Sequence, residues 1–202
     1  MKRKNQILPL TVAAMFIALI AVLSLTPVGY LKIGVIEISF LVLPVVLGGI
    51  LLGKWGGLLL GTAFGVTSLI QCFGMSPFGA AIFGISPAFT VIVCLLPRML
   101  LGFCGAWLFE ALSKTKLPTA ISGGLSGLCA SLLNTVGFVG LLVLLFGKTD
   151  YVQSLMDSMG AENLLRFAVL FAGVNSLVEA AANTVLCGAI APVLVRLKKR
   201  MR

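Results

Sequence analysis

The chain has 202 residues, of which 59% are hydrophobic and only 10% charged, with a formal net charge of +9 and a mean hydropathy of +1.14. That leaves too little polar surface to cover a soluble core, which excludes a soluble domain and leads to the expectation of an integral membrane protein. Each helical crossing takes roughly 20 mostly apolar residues, so spans and short loops use up the length and leave no room for a soluble catalytic domain.

The first apolar run, about 7–26, follows Lys2, Arg3 and Lys4 and so has the charge pattern of a signal peptide. No small-residue cleavage site follows, and Pro27, Gly29 and Tyr30 lead into further apolar sequence, so it reads as a retained first helix. The second run, about 38–53, is short for a crossing, and Pro44, Gly48 and Gly49 predict a bent or partly irregular element sheltered by other helices. A third span covers about 55–73. It is followed by the Gly/Pro-rich connection Phe73-Gly-Met-Ser-Pro-Phe-Gly79, then Gly84 and Pro87, whose apolar residues predict a segment folding back over the protein. Spans four and five cover about 87–112 and 118–146, and a loop from Gly147 to Asn163 holds Asp150, Asp157 and Glu162. The sixth span covers about 164–195.

The expected fold is therefore all-α: one transmembrane domain, residues 1–202, built as a six-helix bundle with both termini cytoplasmic. Basic residues collect in cytoplasmic loops. In this arrangement the inner face carries Lys2, Arg3, Lys4, Lys54, Lys114, Lys116, Arg196, Lys198, Lys199, Arg200 and Arg202, against Lys32, Lys148 and Arg166 outside. The asymmetry explains the positive charge without nucleic acid, and the basic tail suits anionic lipid headgroups or a cytoplasmic partner.

Small residues form two stripes at helical spacing: Ala14, Ala18 and Ala21 on the first helix, and Gly57, Gly61 and Gly65 on the third. Each lets another helix approach closely, and for the glycines the favoured reading is packing within the bundle. The polar residues inside the spans are more selective. Arg98 and Glu179 lie deep in apolar sequence, where an ionisable group ordinarily faces a partner, a cavity or a ligand. A rise of about 1.5 Å per residue puts Arg98, Asn134, Asn175 and Glu179 at overlapping depths. Asn175 and Glu179 share a helix face, which Asn183 continues inward.

A guanidinium, amides and a carboxylate, walled by Phe89, Phe138 and Phe171, suit a small polar ligand. The planar fork of arginine favours an anionic or zwitterionic one. The alternative is that Arg98 and Glu179 neutralise each other while the asparagines bond across helices. Histidine is absent and the five cysteines are scattered singly, so no metal or cofactor is expected and the cysteines read as small hydrophobes. No phosphate-binding loop is present: Gly53-Lys54 lacks its glycine pattern and hydroxyl, so ATP hydrolysis and enzymatic activity are not expected.

Several motifs occur in a telling order. They are the Ala14-x-x-x-Ala18 stripe, Thr26-Pro-Val-Gly-Tyr30, Leu43-Pro-Val-Val-Leu-Gly-Gly49 with Gly53-Lys-Trp-Gly56, and Gly65-Val-Thr-Ser68. Pro97-Arg98, Leu133-Asn134 and Asn175-x-x-x-Glu179 follow. In this order, over about residues 8–195, the chain resembles the substrate-binding membrane subunit, or S component, of energy-coupling factor (ECF) vitamin transporters.

The resemblance implies a multi-pass protein of the prokaryotic cell membrane that captures a water-soluble vitamin from outside. It would then dock on a transmembrane coupling subunit driven by two cytoplasmic ATPases, toppling to expose its pocket inward. It also implies substrate contacts from Arg98, Asn134, Asn175 and Glu179 with Phe89 and Phe138, docking through Ala14 and Ala18, and lids around residues 27–38 and 73–87. Pro97-Arg98 and Leu133-Asn134 look like the pantothenate type; riboflavin, folate, another vitamin or a queuosine precursor are the alternatives. The rival classes are a self-sufficient proton-coupled secondary transporter, with Glu179 as the coupling carboxylate, and a structural subunit with Arg98–Glu179 as a staple. Against the first stands the lack of a convincing repeat between residues 1–100 and 101–202.

Overall fold

The structure is a computed structural model that describes residues 4–26, 30–33 and 36–201, with side chains from 8–26, 40–173 and 176–199. Among these, eight helices follow one another: α1 Lys4–Leu25, α2 Val42–Leu52, α3 Lys54–Gln71, α4 Pro77–Ile85, α5 Pro87–Leu112, α6 Thr119–Phe146, α7 Asp150–Ser158 and α8 Leu164–Met201. Between α1 and α2 lies a short antiparallel hairpin, β1 Tyr30–Ile33 with β2 Ile36–Ser39, in which Tyr30 faces Ser39 and Ile33 faces Ile36. The architecture is helical as expected, and the hairpin is an addition to it. Residues 27–29 and 34–35 of the expected outer lid lie outside the described residues.

By length and composition four stretches can cross a membrane: Leu8–Leu25, Pro87–Leu112, Thr119–Phe146 and Ser176–Lys199. Neither the second nor the third predicted span is among them, so the expected count of six crossings is not reproduced among the described residues. The helix of the second, α2, has 11 residues, about 16 Å at 1.5 Å per residue, roughly half the thickness of a bilayer core. Instead α2 is buried over most of its length, sheltered as the sequence led one to expect. It is nevertheless a regular helix. Pro44 falls in the first turn, where its missing N–H would have no helical acceptor anyway. Gly48 and Gly49 serve close packing: a Cβ on Gly49 would come within 2.8 Å of the Ala106 Cβ.

The glycines of α3 do likewise. A Cβ on Gly57 would lie 2.2 Å from the Gly102 carbonyl oxygen, one on Gly61 2.1 Å from that of Arg98, and one on Gly65 3.0 Å from the Leu95 Cα. Backbone therefore meets backbone along the α3–α5 crossing, which with α6–α8 is one of the two most extensive helix interfaces.

Side-chain bonds fix how the helices run. Ser24 near the end of α1 receives the Gln71 amide from the end of α3, so these two helices run parallel. At the other end Gly53, with φ of 84°, turns α2 into α3. The Glu110 carboxylate accepts from the Lys54 N–H at 3.1 Å, capping α3, and the Lys198 ammonium donates to the Ile50 carbonyl at 2.8 Å, capping α2. The start of α1 and the end of α8 therefore lie at the same end of the bundle, together with Lys54, Lys114 and Lys116. Asp150, Asp157 and Glu162 lie at the opposite end.

That opposite end holds two helices that the sequence reading treats as connections. Ser76 accepts from the Gly79 N–H at 3.2 Å and Pro77 occupies the first turn, which starts α4 inside the predicted fold-back segment. Thr149 caps α7 in the same way, with Val152 and Met156 turned inward four residues apart. Two apolar cores result. One joins Ile20, Val45, Val46, Leu60, Phe64 and Leu101; the other joins Ile82, Val93, Leu142, Phe146, Val152 and Phe167 beneath α4 and α7.

Candidate functional site

Pro97 and Arg98 sit at the seam between these cores. Proline at 97 has no N–H to give the carbonyl of Val93, four residues earlier. Arg98 supplies the missing donor: its Nη1 bonds the Val93 oxygen at 2.9 Å. The guanidinium carbon then lies 4.6 Å from the Phe138 ring centre and 5.5 Å from that of Phe64, so the cation is held between a ring of each neighbourhood. Close glycine contacts fix the backbone beneath it, Gly61 from α3 against Arg98 itself and Gly137 from α6 against Pro97. Arg98 is only 8% exposed, as is Glu179.

The register of α6 against α8 places the other polar groups. The Asn183 amide donates to the Ser131 hydroxyl at 2.9 Å, and both side chains are buried. From that bond Asn134 is one turn along α6 and Glu179 one turn along α8, about 4.5 and 6 Å higher at 1.5 Å per residue, hence at nearly the same level. Asn134 Oδ1 and Glu179 Oε1 are both sequestered from solvent, as is the Arg98 Nε, and Asn134 Oδ1 accepts no hydrogen bond from any described residue. Above them comes the layer of Arg98, Phe64 and Phe138.

An aromatic roof closes the column. Phe78 of α4 packs on Phe138 at 6.5 Å, Tyr151 at 6.1 Å and Phe171 at 5.5 Å. The outer part of α8 that carries Phe171 is set off from the rest by Gly173, whose φ of 56° and ψ of −168° interrupt the helix.

Of the residues singled out from sequence, Arg98 and Phe138 are thus in contact, and Asn134 and Glu179 share a level below them. Phe171 meets the column through Phe78. Phe89 does not join it: 42% exposed, it packs edge-on against Phe146. Asn175 belongs to α8, but its side chain lies outside the described residues. Asn183 is absorbed in the bond to Ser131 that sets the register. Phe64 and Phe78 were not singled out. Phe78 announces itself only through the Ser76-Pro77 helix start, and Phe64, inside an ordinary apolar run, carries no sequence signal.

Ala14 and Ala18 face outward from α1, whereas Ala13 and Ile20 are buried on its opposite side. Among the described residues, no group of three or more metal-ligating side chains occurs.

The family model for the ECF transporter substrate-specific component matches residues 9–191. The chain belongs to that family. Comparison with individual curated proteins gives no significant match. As an ECF substrate-specific component it is a substrate-binding transporter subunit, and its four long apolar helices suit a membrane protein. Arg98 and Glu179 bring a buried cation and carboxylate, and Asn134 an amide, between its helices.

Proposed function

We propose that this S component captures a small, water-soluble, carboxylate-bearing vitamin, with pantothenate the first candidate, from outside the prokaryotic cell membrane. It then docks on a transmembrane coupling subunit driven by two cytoplasmic ATPases and topples to release the vitamin inward. The observation that carries this reading is the setting of Arg98. Its guanidinium is immobilised between Phe64 and Phe138 and tied to the Val93 carbonyl before any ligand arrives. A preformed planar fork in apolar surroundings favours a carboxylate and loses little side-chain entropy on binding it.

Asn134 and Glu179, one layer deeper, then take the hydroxyl and amide groups of the vitamin. The roof carried by Phe78 serves as its lid. Docking uses the outward face of α1 at Ala14 and Ala18, where small side chains let a partner helix come close.

The test combines binding and uptake. Purified protein is titrated with pantothenate, riboflavin and folate, and cells expressing the chain with and without the coupling subunit and ATPases are assayed for labelled vitamin. Pantothenate binding by the chain alone, with uptake only when every component is present, is the expected result. Uptake by the chain alone, abolished by a protonophore, establishes the secondary-transporter class instead. Tight binding of riboflavin or folate without pantothenate overturns the substrate assignment but leaves the transporter class standing.

A further inference from the structure

Two of the five cysteines, far apart in sequence, face each other. The Cys72 sulfur, at the end of α3, lies 3.9 Å from the Cys94 sulfur on α5, and both thiols are free. The helix backbones are nearly in contact here, since a Cβ on Gly65 would lie 3.0 Å from the Leu95 Cα and 3.1 Å from the Cys94 oxygen. Cys72 is 6% exposed and Cys94 2%. What covers Cys72 is α4: a Cβ on Gly79 would lie 2.9 Å from its sulfur. Cys94 stands one helical turn before Arg98, on the same face.

We propose that Cys72 and Cys94 form a dithiol–disulfide site that, when oxidised, ties α3 to α5 beneath α4. The oxidant is a small-molecule disulfide. When α4 lifts, Cys72 is uncovered first, because it lies at the helix end under Gly79 whereas Cys94 lies inside the crossing. Cys72 loses its proton and its thiolate attacks one sulfur of the small disulfide. That S–S bond breaks, and the departing thiolate takes up a proton. Cys94, deprotonated in turn, attacks the Cys72 sulfur of the mixed disulfide and expels the second small thiolate. The protein has lost two protons and two electrons, and the small disulfide has become two thiols.

The sulfurs close from 3.9 Å to about 2.05 Å in the bond, which draws Cys72 away from the seat of α4 and joins the two helices one turn from Arg98. This site is independent of which solute the protein binds.

The test uses a variant with Cys104→Ser, Cys129→Ser and Cys187→Ser, leaving only the pair, purified in detergent and treated with oxidised glutathione. After alkylation, intact mass should show a monomer lighter by two hydrogens and carrying no alkyl group. Its thermal midpoint should rise and return on adding dithiothreitol. In the same background Cys94→Ser should trap one glutathione on Cys72, whereas Cys72→Ser should take up none. Two alkylated thiols, two glutathione adducts or a disulfide-linked dimer each overturn the proposal, provided the same protein unfolded in detergent does oxidise. Should the triple variant not fold, peptide mapping of oxidised wild-type protein, looking for the Cys72–Cys94 linkage, decides the question with the same outcomes.

Discussion

Pro97 breaks a helical hydrogen bond and Arg98 restores it, so each residue explains the other. This coupling makes a clean separation of stability from binding available. Arg98→Ala removes the ligand fork and also strips the Val93 carbonyl of its donor. Loss of a hydrogen bond to a charged group amounts to about 1.5–3 kcal/mol, so affinity for the anionic vitamin should fall by roughly 10- to 100-fold. Stability should fall as well, by about 1–3 kcal/mol for the buried carbonyl left without its donor. Adding Pro97→Ala returns an N–H to position 97, and the double variant should regain most of the lost thermal midpoint while binding stays weak. Calorimetric titration and thermal unfolding of both variants check this. Recovery of binding together with stability would make Arg98 a structural residue.

Glycines within the long helices differ in what surrounds them. On Gly61 a Cβ would run into the Arg98 carbonyl oxygen at 2.1 Å, while on Gly140 it would meet nothing within 4 Å. Gly61→Ala should therefore push α3 off α5 and cost about 1–3 kcal/mol of stability. Gly140→Ala should be neutral or stabilise by up to about 1 kcal/mol, because alanine has the higher helix propensity. Thermal midpoints of the two variants in one detergent test the contrast.

At the scale of elements, the long apolar runs were readable because about 20 consecutive, mostly apolar residues mark a membrane-crossing helix by length alone. The predicted spans at about 87–112 and 118–146 fall on α5 Pro87–Leu112 and α6 Thr119–Phe146 nearly residue for residue. The short helices were not readable in that way. Each of α4 and α7 has nine residues, too few to hold a helix without tertiary support. Their marks, Ser76-Pro77 and Thr149-Asp150, are capping signals that serve turns equally well. In the site, the charged and amide residues stood out against hydrocarbon and Phe138 was legible as a wall beside them, whereas Phe64, the other aromatic partner of Arg98, is an ordinary apolar residue whose role depends on the fold.

The α1 stripe belongs to this scale too. Since Ala14 and Ala18 face away from the bundle, replacing either with tryptophan should leave vitamin binding by the isolated chain nearly intact and abolish uptake by the assembled transporter. Equal loss of both activities would remove α1 from the docking surface.

For the molecule as a whole, the decisive property is how charge is divided between its two ends. The capping bonds of Lys198 to Ile50 and of Glu110 to Lys54 gather the α2–α3 turn, the end of α5 and the end of α8 in one place. With them come Lys54, Lys114, Lys116, Arg196, Lys198 and Lys199. At the far end Asp150, Asp157 and Glu162 accompany Lys148 and Arg166, and Arg166 is paired with Glu162 at 3.0 Å. A basic residue near anionic cytoplasmic headgroups contributes about 1 kcal/mol, so the proposed orientation puts the basic end at the cytoplasmic leaflet and turns the aromatic roof outward. A fluorescent protein fused after Arg202 should then fluoresce in intact cells, and a phosphatase inserted at Gly160, which requires export to become active, should be active. The reverse pair of signals would put the Arg98 column's roof on the cytoplasmic side, where it could not receive an external solute, and capture from outside would have to be abandoned.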